Sequence, residues 1–242
     1  MKRLTVIFTM GIILFLSSCN GDSKEKEEEV AKDTTAAVAP TPPPPPAEAT
    51  FSPFKIVSIR HKVKDFSKWL PVYMGHDSMR MVYGVNRYRL GRGMEDSNMI
   101  LVVDRISDVA KAKEFGGSAT LKDAMAKAGV VGKPDISMFE VIRNDSSMIA
   151  NPDRLAVTTK VKDFAAFLKT YDGEGKATRA ENGLVDRAMG RNLDDSNTVR
   201  IVFAVTDMAK AKARMMSPEL KKLMEEATCE GKPDFFWYKV VQ

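Results

Sequence analysis

Lys62-Val63-Lys64-Asp65-Phe66 returns as Lys160-Val161-Lys162-Asp163-Phe164, and this recurrence decides the fold. Asp96-Ser97-Asn98 recurs as Asp195-Ser196-Asn197, and Gly132-Lys133-Pro134-Asp135 as Gly231-Lys232-Pro233-Asp234. The offset is 98 residues at the first motif and 99 at the other two, so the copies differ by one residue within the first helical stretch. Roughly a third of the aligned positions are identical, which marks two copies of one small domain.

Outward from these motifs, apolar periodicity alternates between two and about 3.6 in the order strand, helix, strand, strand, helix, strand. Residues 55–61 and 155–160 read as first strands, and Asp65 and Asp163 stand where N-caps belong. Phe66, Trp69, Leu70 and Tyr73 follow at helical spacing, echoed by Phe164, Phe167, Leu168 and Tyr171. Pro71 is expected near the first turn, where it does not kink the helix, and Gly84 and Gly183 fit the helix stop. Residues 85–92 and 98–104 form a hairpin around a turn-rich loop, with 192–196 as the matching loop. The second helix opens at Ser107-Asp108 and Thr206-Asp207 and breaks at Ser118 and Ser217; Gly-Lys-Pro-Asp then turns into a last strand at 136–142 or 235–241.

The N-terminus reads as an export signal: Lys2 and Arg3, an apolar run from Leu4 to Leu16, then Leu16-Ser17-Ser18-Cys19. The tetrapeptide resembles a bacterial lipobox, which implies acylation of Cys19, anchorage to a membrane and a place in the cell envelope. The apolar run of about 13 residues falls short of the roughly 20 that span a bilayer. Asn20 is not the aspartate that marks inner-membrane retention in enteric bacteria, so the outer membrane is expected, on its periplasmic or surface face. Residues 20–53 are acidic, then Ala/Thr-rich, then proline-rich at 42–46, with almost no apolar surface to bury; this reads as a disordered linker with a stiff polyproline section. The acidic run resembles the surface-export signal of some lipoproteins, and it equally fits a solvated charge run. The organisation is therefore signal 1–19, linker 20–53, first repeat 54–148 and second repeat 149–242.

Only Cys229 remains after Cys19, so a mature chain has no internal disulfide. The net charge of +5 becomes about +7 for the repeats once the signal and linker are set aside, which favours acidic ligands or headgroups. The excess is scattered without a basic block, and nucleic acid is not expected as a partner.

A βαββαβ unit is ferredoxin-like, with helices on one sheet face and the other face bare. In the residues quoted, the chain resembles the dimeric α/β-barrel superfamily, which includes the antibiotic-biosynthesis-monooxygenase-like domains. The resemblance covers residues 54–242 and implies an α+β fold in which two tandem repeats pack sheet to sheet as an intrachain dimeric α/β barrel. A fused pseudo-dimer of this kind is monomeric. Some members bind haem through a histidine, but nothing in these residues singles out a haem ligand, and no cofactor is expected.

The repeats act as an internal control, since residues needed by the fold recur and those of a single site need not. Asp65/Asp163, Arg92/Arg191, Asn98/Asn197 and Asp108/Asp207 read as caps and turn-makers. Arg80 and Arg179 match near a helix end and are candidates to close the ends of the barrel cavity, or else pair with the helix dipole. His61 and His76 are unmatched and are the only histidines; imidazole suits proton transfer near neutral pH. Two histidines about 15 apart without cysteine make no metal motif, and the fifteen methionines read as core filler rather than copper ligands. Tyr88 and Arg187 are candidates to line the barrel interior, or rim residues with wet tips. Trp237 and Tyr238 replace Met138 and Phe139 and are candidates for a flat apolar wall, or core. Cys229 reads as a small hydrophobe. The candidate ligand-binding residues are thus His61, His76, Arg80, Tyr88, Arg179, Arg187, Trp237 and Tyr238. Two functional classes stay open: a module binding a small apolar or anionic ligand or a protein partner, and a cofactor-independent monooxygenase-like enzyme acting on a small aromatic or polyketide-like molecule. No position matches a fixed catalytic motif.

Overall fold

The computed structural model describes residues 51–241; the export signal, Cys19 and the linker as far as residue 50 lie outside the described residues, as does residue 242. The first half comprises β1 (Phe54–Val63), α1 (Phe66–Gly75), α2 (Asp77–Val82), β2 (Val85–Gly93), β3 (Met99–Ile106), α3 (Val109–Gly117), α4 (Ala119–Lys127) and β4 (Val130–Asn144). The second repeats the order: β5 (Asp153–Val161), α5 (Phe164–Glu174), α6 (Lys176–Glu181), β6 (Leu184–Asn192), β7 (Thr198–Val205), α7 (Met208–Met215), α8 (Pro218–Glu226) and β8 (Cys229–Val240). The chain is α+β and ferredoxin-like. Its strands form one antiparallel sheet in the order β1-β3-β2-β8-β5-β7-β6-β4, closed by β4 against β1.

Local chemistry explains the elements. Branched and aromatic side chains alternate along β1, so that Ile56 and Ser58 face into the barrel while Val57, Ile59, His61 and Val63 face the helices. Four aspartates cap helices: Asp65 accepts from the Ser67 amide at 2.8 Å, Asp163 from Ala166 at 2.9 Å, and Asp108 and Asp207 from Lys111 and Lys210 at 3.0 Å. Each such cap contributes about 1 kcal/mol. Ser118 and Ser217 restart the second helical run by accepting from Leu121 and Leu220. Gly84 and Gly183 follow α2 and α6 at φ +69° and +75°, where a Cβ would come within 2.3 Å of Ser107 Oγ or 2.5 Å of the Asp207 carbonyl oxygen. Only glycine fits both the backbone and the space. Arg92 and Arg191 lock their hairpins through Ser97 and Ser196 carbonyls, each at 2.8 Å, while stacking over Phe66 and Phe164.

Three local features differ from the sequence reading. The first helical run is broken in both halves, at His76 between α1 and α2 and at Gly175, φ +79°, between α5 and α6. Pro71 lies in the second turn of α1, so the Ser67 carbonyl loses its helical donor. Gly-Lys-Pro-Asp is not a turn before the last strand but a bulge within it. Register jumps from Arg60↔Asp135 to Lys62↔Val131 in the first half and from Thr158↔Asp234 to Lys160↔Glu230 in the second. Proline, with no N–H to donate, is tolerated in such a bulge, which lies opposite His61 in one half and Thr159 in the other.

Candidate functional site

The apolar positions of the sheet serve two separate spaces. Inside the barrel, Ile56, Phe139 and Val141 pack as one cluster and Leu101, Ala156 and Tyr238 as another. Between sheet and helices of the first half, by contrast, lies a cavity of about 330 Å³. Its walls are mostly aliphatic, with Val57, Ile59, Val85 and Val102 from the sheet and Ala124 and Met125 from α4. This volume falls at the low end of ordinary small-molecule sites, ~300–1,000 Å³.

The aromatic stripe of α1 forms one side. Trp69, 3% exposed, stacks on Tyr73 with ring centroids 4.8 Å apart and planes 12° apart, and His61 sits 5.4 Å from the Trp69 ring. The Tyr73 hydroxyl donates to Asp104 at 3.0 Å, and the Arg80 guanidinium lies over the Tyr73 ring at 4.0 Å. Arg80 donates to the Tyr73 carbonyl at 2.8 Å, pairs with Asp77, and brings its Nε to 3.8 Å from Asp104. His76, at the break between α1 and α2, makes a 2.7 Å contact from Nδ1 to the Val72 carbonyl. With Nδ1 as the donor, Nε2 is the ring nitrogen left for other partners. Asp194, from the β6–β7 hairpin of the other half, reaches the cavity rim and pairs with Lys113 at 2.9 Å.

Electrostatics set this cavity apart. Among the described residues, the buried side-chain polar atoms without a hydrogen-bond partner in the protein are both ring nitrogens of His61 and Nε of Arg80, and both residues line this space. Burial lowers the His61 pKa to about 4, so the ring is neutral near pH 7. The Asp104 carboxyl is raised, mainly by burial, against the opposing pull of Arg80 and Tyr73. Burial, and then the Asp104 charge, raises the Tyr73 hydroxyl. A neutral imidazole with a free acceptor nitrogen can take a hydrogen bond from a guest hydroxyl.

The equivalent space in the second half holds only about 80 Å³. Leu155, Leu184, Ile201, Phe203 and Leu223 stand where the first half has Val57, Val85, Val102, Asp104 and Ala124. Thr159 replaces His61 and Phe167 replaces Trp69. Arg179, the twin of Arg80, is fully engaged: it donates to both Asp186 oxygens at 2.8 and 2.7 Å, to the Tyr171 carbonyl at 2.7 Å and to Glu174 at 3.3 Å. Glu174 in turn pairs with Arg214 at 2.7 Å.

The structure therefore gathers His61, His76 and Arg80 into one cavity and sends the other candidates elsewhere. Arg80 and Arg179 do not close the ends of the barrel; both are buried beneath the helices, because carboxylates on the sheet and helices hold them there. Trp237 forms no wall of a ligand space but packs against the core of the second half, where its bulk helps to fill what Met138 leaves open in the first. Tyr88, Arg187 and Tyr238 face a separate space of about 150 Å³ at one end of the barrel interior. Cys229 is half-buried with its thiol pKa raised by burial. No group of three metal-ligating side chains occurs among the described residues. The sequence reading missed Trp69, Tyr73 and Asp104. Trp69 and Tyr73 were hidden because their twins are also aromatic, but Asp104 had a signal: a carboxylate closing the apolar run Leu101-Val102-Val103, where the twin is Phe203.

No protein-family model matches the chain, and no curated protein does. Solved structures do. An anthrone oxidase-like protein superposes with TM-score 0.53 at 13% identity, covering 78% of this chain and 92% of its own. A proposed monooxygenase of Lactobacillus acidophilus superposes with TM-score 0.50 at 15% identity, covering 77% and 94%. A ferredoxin-fold protein of Listeria monocytogenes, related to antibiotic biosynthesis monooxygenases, gives 0.45 at 13% identity over 79% and 97%. At such identities the likeness extends to the fold: this chain shares the ferredoxin-like architecture of monooxygenase-like proteins.

Proposed function

We propose that this chain is an exported lipoprotein whose folded part binds one small, largely apolar ligand between the sheet and helices of its first half. The observation that carries the reading is the 330 Å³ cavity in which the unpartnered, buried His61 meets Trp69. A flat guest with one hydroxyl suits this pair, stacking near the α1 aromatics and donating to the acceptor nitrogen of His61. The tandem repeat and the closure of one sheet by strands of a single chain support an intrachain pseudo-dimer that is monomeric in solution. The lipobox at Cys19 and the linker support attachment to the outer membrane.

Calorimetric titration of the full chain with small phenols tests the ligand reading. Saturable binding that His61→Thr weakens by at least about ten-fold, the value of one buried hydrogen bond, is expected; binding unchanged in that variant counts against the site. For the anchor, Cys19→Ala is expected to release the protein from the membrane fraction. A second reading, cofactor-independent oxygenation of such a guest, is favoured by the fold shared with the anthrone oxidase-like protein. Product formation under oxygen by the wild-type chain, absent in His61→Thr, is its test.

A further inference from the structure

The barrel interior divides between the halves in the opposite sense. The first half lines it with Ile56, Leu101 and Phe139, and the twin positions in the second half are Arg154, Arg200 and Tyr238. The first half keeps an apolar lining at these positions, so the architecture does not itself demand the arginines. The interior is closed at one end by Arg60, which bridges Asp135 at 3.2 Å and Asp234 at 2.8 Å. Towards the other end lies the cavity of about 150 Å³.

Four consecutive strands, β2, β8, β5 and β7, bring Arg89, Tyr238, Arg154 and Arg200 to this cavity. Arg187 joins them from β6, tied to Ser147 at 2.7 Å and to Asp145 at 3.6 Å. Arg89, Arg154 and Arg200 pair with no carboxylate among the described residues. Arg200 instead donates to Thr158 at 2.9 Å and Ser58 at 2.5 Å and lies 4.3 Å over the Phe139 ring. Arg154 donates to the carbonyls of Asn151 and Asp153 at 2.6 and 2.9 Å. The two carboxylates whose fields bear on Arg200, Asp135 and Asp234, are both held by Arg60. Burial lowers the Arg200 pKa to about 10, a sign of a cation without its counter-charge. Gly91 gives the Tyr238 ring its place, since a Cβ there would stand 2.4 Å from Tyr238 Cδ2.

From this geometry we propose that the open end of the barrel interior binds a small oxyanion, a phosphate or carboxylate group, held by Arg154 and Arg200 with Arg89 at the mouth. Guanidinium forks match such groups two hydrogen bonds at a time. The site is separate from the helix-side cavity and does not rest on the reading of that cavity.

Inorganic phosphate is the probe, titrated against the full chain at constant ionic strength maintained with chloride, with thermal unfolding as the readout. A saturable rise in Tm is expected, with a phosphate dissociation constant at least about ten-fold weaker in Arg200→Leu and in Arg154→Ile, each restoring the residue of the twin position. Without phosphate, Arg200→Leu is expected to be at least as stable as the parent, because a well-packed apolar side chain replaces an uncompensated charge. If one variant fails to fold, the other carries the same test. No saturable rise, an equal rise in the variants, or binding to phosphatidylglycerol vesicles without a response to soluble phosphate would overturn the proposal.

Discussion

The two halves share an element order, a pair of aspartate caps and a buried arginine, yet the space under their helices is about 330 Å³ in one and 80 Å³ in the other. The difference comes from single-residue changes spread over the same positions. Val57 against Leu155 and Val85 against Leu184 each differ by one carbon; Ala124 against Leu223 differs by three; Met138 against Trp237 and Ile136 against Phe235 add rings. One copy has spent these positions on packing, and the other has left them short. Polar satisfaction follows the same division. Arg179 has every donor group engaged, whereas Arg80 and His61 keep unpartnered nitrogens at the edge of the open space. A fold kept stable by one half allows the other to hold a cavity and under-satisfied groups, as functional sites in proteins commonly do.

The largest difference between the halves is expected at the arginines. Arg179→Leu leaves Asp186 without its partner beneath the helices and Glu174 with Arg214 alone, and is expected to cost about 3–5 kcal/mol in urea unfolding. Arg80→Leu is expected to cost less, because Asp104, whose pKa burial already raises, can take up a proton and become neutral. Equal losses would show that the twins carry equal structural weight.

Packing gives the next contrast. Leu184 is 2% exposed and fills the second space, so Leu184→Ala is expected to cost about 2–5 kcal/mol. Val85→Ala, facing space that is already open, is expected to fall well below that in the same unfolding assay.

His61 sharpens the contrast through pH. Its pKa falls from 6.5 in the unfolded chain to about 4 in the fold, so between these values the unfolded state binds the extra proton. Stability attributable to neutral His61 is complete above about pH 6.5 and is lost progressively as pH falls towards 4, by up to roughly 3 kcal/mol. The second half has Thr159 at this position and no such dependence. His61→Thr is therefore expected to flatten the fall in urea midpoint between pH 7 and pH 4.5; an unchanged slope would mean that carboxylates elsewhere account for it.

Much of this architecture was legible in the sequence for physical reasons. A repeated motif fixes a repeated fold, and Asp65, Asp108, Ser118 and Ser217 announce helix starts because few residues can serve an orphan amide. The histidines stand out in the sequence only because neither recurs in the second copy; the structure places both on the helix-side cavity. The location of the cavity was not legible. Period-two alternation shows that a strand has two faces but not which one is loosely packed, so the expected ligand space was assigned to the barrel interior. Nor does the sequence show that small deficits at Val57, Val85 and Ala124 fall around one point, since those residues lie on different elements. Arg154 and Arg200 were legible in principle, as arginines aligned with Ile56 and Leu101.

If the first half binds a ligand where the second is filled, Trp69 reports it and Trp237 does not, since the two tryptophans fall one to each half. The most direct measurement is the fluorescence of Trp69 in Trp237→Phe during titration with 1-naphthol, with and without Ala124→Leu. A saturable change in Trp69 emission is expected, and Ala124→Leu, by importing the twin's larger side chain into the cavity, is expected to weaken the binding it reports. An unaltered affinity in Ala124→Leu, or a change that appears only at Trp237 in Trp69→Phe, would contradict binding in the first half.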